Sequence, residues 1–203
     1  ILFGWVREKR PSREQILSGW SGALSLPRVI TILPNGLLKI EPAQELELLR
    51  GEHEELENKG LVGYSLSPGE LRLNVPSASH LEILLEISDI NAKRIGVMLP
   101  GGENVILNLE EEKLAESPFK LTEKNLRLRI FIDGSIVEIF ANDVFSKTER
   151  WYFPKEITKT VKIFCEEGSI FVRRFSIWTM GESFDNACSL IEVASCDSQE
   201  AEQ

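Results

Sequence analysis

Residues 126–141 read Leu-Arg-Leu-Arg-Ile-Phe-Ile-Asp-Gly-Ser-Ile-Val-Glu-Ile-Phe-Ala. Apolar residues recur at every second position on both sides of Asp133-Gly134. Period two marks a half-buried strand, and Asp-Gly between two such runs is a strong hairpin signal. A two-residue type I′ loop at Asp133-Gly134 predicts Ile130 opposite Val137 and Leu128 opposite Ile139, one apolar face. It also sets Arg129 opposite Glu138, a favourable cross-strand charge pair. A loop at Gly134-Ser135 would set Glu138 against Phe131 instead, and the charge pairing favours the first register. Asp133 then has an Asx-turn role, and Arg129, Asp133, Gly134 and Glu138 are read as structural residues.

The same alternation spreads outward from this hairpin. Leu81, Ile83, Leu85 and Ile87 face one way, with His80, Glu82, Glu86 and Ser88 on the other side. Leu71, Leu73 and Val75 repeat it, as do Val105, Leu107 and Leu109, then Val161, Ile163 and Cys165, then Phe171, Arg173, Phe175 and Ile177. Turn signals at Ser67-Pro68-Gly69, Pro100-Gly101-Gly102 and Glu167-Gly168-Ser169 separate the runs. Helical patterning is confined to about 42–50 and 110–116. Some ten short strands with frequent turns predict an all-β chain, an antiparallel β-sandwich. The first sixty residues differ in texture. Strands are expected at about 1–7, 23–33 and 37–41, followed by a linker helix from Pro42 to Arg50, with Pro at its start. Such a blade-like piece needs partners that this chain does not contain.

At 203 residues the chain is long enough to bury a core without staples. Its three cysteines make no closed disulfide framework, and Cys165 stands among apolar neighbours. No apolar run approaches a membrane span and no signal peptide is visible, so no membrane partner is expected. The opening Ile1 leads us to expect a piece of a longer protein. A net charge of −9 argues against a nucleic-acid partner. Six of those charges fall on Glu182, Asp185, Glu192, Asp197, Glu200 and Glu202, where no Lys or Arg balances them. Residues 181–203, with Cys188 and Cys196, are therefore expected to be an acidic, disordered tail.

Several blocks carry a family resemblance. Gly4-Trp5-Val6, then Gly19-Trp20-Ser21-Gly22-Ala23-Leu24-Ser25-Leu26-Pro27-Arg28, then Leu38, Pro42, Glu45 and Leu49-Arg50, resemble the end of the catalytic domain in glycoside hydrolase family 32. That family holds invertases, levanases, inulinases and sucrose-6-phosphate hydrolases. The run from Arg129 to Phe140 resembles the family's C-terminal signature. The resemblance implies a five-bladed propeller followed by a β-sandwich. Residues 1–41 would be the last part of the propeller, 42–51 a linker and 52–180 the sandwich. It also implies retaining hydrolysis of β-fructosidic bonds by a nucleophilic carboxylate and an acid/base carboxylate.

The motifs that carry those carboxylates in the family are a Trp-Met-Asn-Asp-Pro-Asn-Gly type, an Arg-Asp-Pro and a Glu-Cys. None occurs here. The chain is thus expected to hold no catalytic residue and no cofactor or metal, and to be inactive alone. Its role would be to stabilise the propeller portion of the same enzyme, its expected partner, and to offer contacts for a homo-oligomer. Sucrose or fructan would be met only through the whole enzyme.

In the family the Gly-Trp segment runs close to the sugar pocket, which makes Trp5 and Glu8 substrate-adjacent candidates. Their bland reading is a Trp packed between blades and a solvated Glu. Arg28 reads as one half of a structural ion pair, and His53 and His80 as surface histidines. A calcium site at Glu110-Glu111-Glu112 has no supporting spacing. The alternative function is a lectin-like carbohydrate-binding sandwich, which would need exposed aromatics; Phe119, Phe145, Trp151 and Tyr152 are the candidates.

Overall fold

The structure is a computed structural model that describes residues 1–34, 36–75, 79–152 and 159–182. The expected tail therefore lies outside the described residues beyond Glu182, as do Cys188 and Cys196.

Two long strands organise the molecule, β7 (His80–Met98) and β14 (Thr160–Met180). They run antiparallel side by side, from Lys162 opposite Met98 to Thr179 opposite Leu81. Each changes its second neighbour part-way along. The first half of β7 pairs with β11 (Leu126–Asp133), and its second half with β8 (Asn104–Asn108). The first part of β14 pairs with β6 (Gly69–Asn74), and the rest with β5 (Arg50–Gly63). One layer continues from β11 through β12 (Ile136–Ala141) to β13 (Phe145–Arg150). The other continues from β8 through the short β9 (Lys113–Leu114) and β10 (Ser117–Pro118).

The two layers meet where β7 and β14 bend. Register shifts in their pairing fall between Ser169 and Phe171 and between Val172 and Arg174. Extra residues of this kind bend a strand and raise its twist, so one strand can serve two sheets. Asp89 and Glu167 sit at positive φ at this corner, and Gly168 has φ 146°. A Cβ on Gly168 would lie 1.9 Å from the Asn91 carbonyl oxygen, so only glycine fits.

The alternation read from the sequence builds the core directly. Leu81, Ile83, Leu85 and Ile87, Leu128, Ile130 and Ile132, Val137 and Ile139, and Phe175 are buried in one cluster with Val161, Ile163 and Cys165 from the far layer. Burial also pushes the Cys165 thiol pKa up.

The hairpin register differs from the expectation. Asp133 pairs with Ile136, Ile130 with Ile139, and Phe131 with Glu138, so the loop is Gly134-Ser135. Gly134 alone takes positive φ (55°), whereas a loop at Asp133-Gly134 would need it at both positions. Arg129 therefore does not face Glu138. Each has a stronger partner elsewhere, as described below.

The first forty-two residues carry β1 (Trp5–Val6) paired with β2 (Ala23–Leu24), and β3 (Arg28–Ile32) paired with β4 (Leu38–Pro42). A helix absent from the sequence reading, α1 (Ser12–Ser18), follows Pro11 and ends on Gly19 at φ 75°. The expected linker helix is a 3₁₀ turn, Gln44–Leu49. Residues 110–116 are turns plus β9 rather than helix. Trp151 lies just past β13.

Candidate functional site

Outward-facing side chains of the β7–β11–β12 layer should be wet, yet many are buried. Phe131 and Phe140 pack edge to face, their centroids 6.1 Å apart, under Leu46 of the 3₁₀ turn. Leu26, Ile40, Leu49 and Met180 close around them. The N-terminal strands and the 3₁₀ turn thus cover this face. A cavity of about 500 Å³ opens along the seam, lined by Leu26, Leu46, Leu49, Phe131 and Met180 among others.

Two buried carboxylates lie in this seam. Register places Trp178, Glu82, Phe131, Glu138 and Thr148 in one row across five strands. Glu82 is fully buried and accepts from Arg129 Nε (2.9 Å) and Nη2 (2.6 Å). Arg50 donates to the same carboxylate through Nε (2.7 Å) and Nη2 (2.9 Å), with its guanidinium 4.2 Å over the Trp178 ring. Trp178 in turn stacks on His53 at 4.7 Å. Glu138 accepts from Arg28 Nη2 and from the Leu26 N–H, both at 2.5 Å. Arg28 also donates to Ser146 Oγ (3.1 Å) and Thr148 Oγ1. A buried carboxylate is tolerable when cations and N–H donors satisfy it in this way.

A third carboxylate, Glu8, closes the far end. It accepts from Arg10 Nη2 (2.8 Å), the Lys9 and Arg10 N–H groups and the Tyr152 hydroxyl. The Arg10 guanidinium, with those backbone donors, holds its carboxyl down at about 2. Arg150 lies 4.0 Å away, and Arg10 stacks over Trp20 at 4.2 Å.

These positions revise the residue readings. The Glu8 side chain is only 2 % exposed, so the solvated reading fails. Trp5 is 66 % exposed, its ring lying against Gly22. The two side chains are not brought to one pocket: Glu8 is engaged with Arg10 and Tyr152 and does not line the cavity beside Trp5. Asp133 ends β11 and faces His80 at 3.5 Å. The aromatic platform a lectin would need is not assembled. Phe119 is buried edge to face on Phe145 at 5.3 Å, and Trp151 packs on the core. The Tyr152 hydroxyl goes to Glu8. Glu82, Arg50 and Arg150 escaped the sequence reading. For Glu82 the signal was a lone charge between the buried apolar residues Leu81 and Ile83; Arg50 and Arg150 carry no such flanks.

The chain is a two-layer antiparallel sandwich joined through the buried Arg28–Glu138 pair to a small strand-rich N-terminal segment. The family model described as "Glycosyl hydrolases family 32 C terminal" matches residues 43–179, and the chain belongs to that family. It is 23% identical over 197 residues to a sucrose-6-phosphate hydrolase of Escherichia coli, covering 89% of this chain and 39% of that protein. A sucrose-6-phosphate hydrolase of Zymomonas mobilis is 25% identical over 211 residues, covering 90% of this chain and 39% of that protein. The fold resembles fructan 1-exohydrolase IIa from Cichorium intybus with a TM-score of 0.66 and 19% identity, over 89% of this chain and 45% of that one. The chain thus spans less than half the length of these relatives.

Proposed function

We propose that this chain is the non-catalytic C-terminal part of a β-fructoside-cleaving hydrolase, and that it stabilises the catalytic propeller of the same enzyme. In this reading residues 1–41 are the last part of that propeller, 42–51 the linker and 52–180 the sandwich. The observation that carries it is an asymmetry of exposure. The sandwich face is sealed by Arg28, Leu26 and Leu46, while the N-terminal segment leaves Phe3, Trp5, Ile16, Leu17, Leu24 and Ile32 exposed. Apolar exposure on this scale marks a surface made for a partner. The rest of a propeller supplies one of the right chemistry.

The carboxylates support the same reading. Retaining hydrolysis needs two carboxyls about 5–5.5 Å apart across an open sugar site. Glu8, Glu82 and Glu138 are each tied to arginine, and none faces open space beside a second free carboxyl. The nucleophile and acid would come from the upstream part. The deciding assay is fructose release from sucrose, inulin and levan by the chain alone and with an upstream propeller fragment. Activity only with the fragment is expected. Activity of the chain alone would overturn the non-catalytic reading.

A further inference from the structure

The apolar cavity of the seam lies where the chain leaves β14. It has a volume of about 500 Å³, and eight of its twelve lining residues are apolar. Leu26, Leu46 and Leu49 come from the N-terminal side, and Phe131, Ile132 and Met180 from the sandwich. Of its charged lining, His80 and Asp133 face each other at 3.5 Å, and the third group is Glu182. Leu26, Leu49 and Met180 are only partly buried around the Phe131–Phe140 pair. Leaving them to water forfeits the gain of covering them.

The course of the chain points to the cover. Met180 pairs with Arg50, and the Gly181 N–H donates to the Leu49 carbonyl at 2.7 Å. Met180, Gly181 and Glu182 all line the cavity, so the backbone passes along it. The sequence continues Ser183-Phe184-Asp185, and Phe184 is the sole aromatic residue after Trp178. Two extended residues span at most about 7 Å, which keeps Phe184 beside the cavity on any course from Glu182. An apolar cavity of about 150 Å³ already accepts benzene, so a phenyl ring fits here with room to spare.

We propose that Phe184 fills this cavity, so that the chain's own continuation covers it and pins the end of β14 to the 3₁₀ turn. Burial of the ring against Leu49, Phe131 and Met180 drives the docking. Ser183 and Phe184 bring no charge into the apolar space, and the acidic tail expected from the sequence begins only at Asp185. The occupant belongs to this chain, so the cavity closes with or without an upstream propeller.

The test uses the full 203-residue chain with its two methionines isotope-labelled at the methyl carbon. Met180 lines the cavity, while Met98 ends β7 opposite Lys162 and serves as the internal control. A nuclear Overhauser contact between the Met180 methyl and the Phe184 ring is expected. Phe131 belongs to the same cluster, so Phe184→Ala makes the assignment: it should remove that contact and shift the Met180 resonance, with Met98 unmoved. The same variant should lower the thermal midpoint by about 4 °C, and Phe184→Leu, which keeps much of the apolar bulk, by about half as much. The Met180 response decides. A Met180 resonance identical in Phe184→Ala and the parent overturns the proposal, whatever the midpoint does. A Met180 resonance that moves only when an upstream propeller fragment is added overturns it too, and gives the cavity to that part of the enzyme.

Discussion

Arg28 Nη2 lies 2.5 Å from Glu138 Oε2, joining strand β3 of the N-terminal segment to strand β12 of the sandwich across 110 residues of chain. Both side chains are largely buried. Removing one partner of such a pair strands the other charge, whereas replacing both with apolar groups costs far less. Arg28→Ala and Glu138→Ala should each destabilise the protein by about 3 kcal/mol in denaturant titrations. Arg28→Met with Glu138→Leu should recover much of that loss. Additive losses in this cycle would mean that the pair does not couple.

Glu82 neutralises two arginines at once, so its loss is more costly than that of any single exposed acid. Glu82→Gln should lower stability by about 3 kcal/mol, with Arg50 and Arg129 left to share the partly exposed Glu47. Asp133→Asn, at the exposed end of β11, should stay within about 0.5 kcal/mol. Urea midpoints for both variants decide this.

Gly168 has no substitute at the corner where the layers join. Gly168→Ala drives its Cβ into the Asn91 carbonyl at a φ that side chains rarely adopt. A loss of at least about 2 kcal/mol is expected. Gly134→Ala, with open space around it, should cost less than Gly168→Ala. Thermal unfolding of the two variants measures the difference.

Glu8 gives the seam an acid-sensitive end. Its folded pKa, about 2, lies below the ordinary 4.5. A depressed carboxyl contributes stability that is fully present above the unfolded value and lost as pH falls from about 4.5 through 2. Glu8→Gln should flatten the fall in stability over that window, and have its largest effect near neutrality. Equal slopes for both proteins between pH 5 and 2.5 would rule this out. Glu55, Glu111 and Glu167 are also lowered, so a residual slope remains.

The exposed N-terminal apolar face makes a prediction that separates docking from folding. Ile32 is 73 % exposed, so Ile32→Glu should barely change the stability of this chain alone, by about 0.5 kcal/mol or less. In the intact enzyme the same change should lower the thermal midpoint, because the residue would then be covered. No change in either setting would remove Ile32 from the docking surface.

Period-two alternation was enough to read the all-β sandwich, because burial between two layers needs one apolar face per strand and little else. Residues 81–87, 126–132 and 161–165 show it unaided. Glycine at 134 was legible as turn punctuation for a similar local reason, whereas Glu167-Gly168-Ser169, expected to be a turn between two strands, is a bend inside the continuous strand β14. The partner of Arg129 was not. The expected and observed hairpin registers differ by two residues, and a two-residue shift keeps every side chain on the same face. The apolar pattern is blind to that choice, and a cross-strand charge pair is worth only about 0.2–1 kcal/mol. Buried bonds to third elements outweighed it: Glu82 on β7 claimed Arg129, and Arg28 on β3 claimed Glu138. Those partners lie 47 and 110 residues away. Charge attraction carries no sequence period, so Arg129 meets Glu82 only once β7 pairs with β11, and Arg28 meets Glu138 only once β3 lies on the sheet.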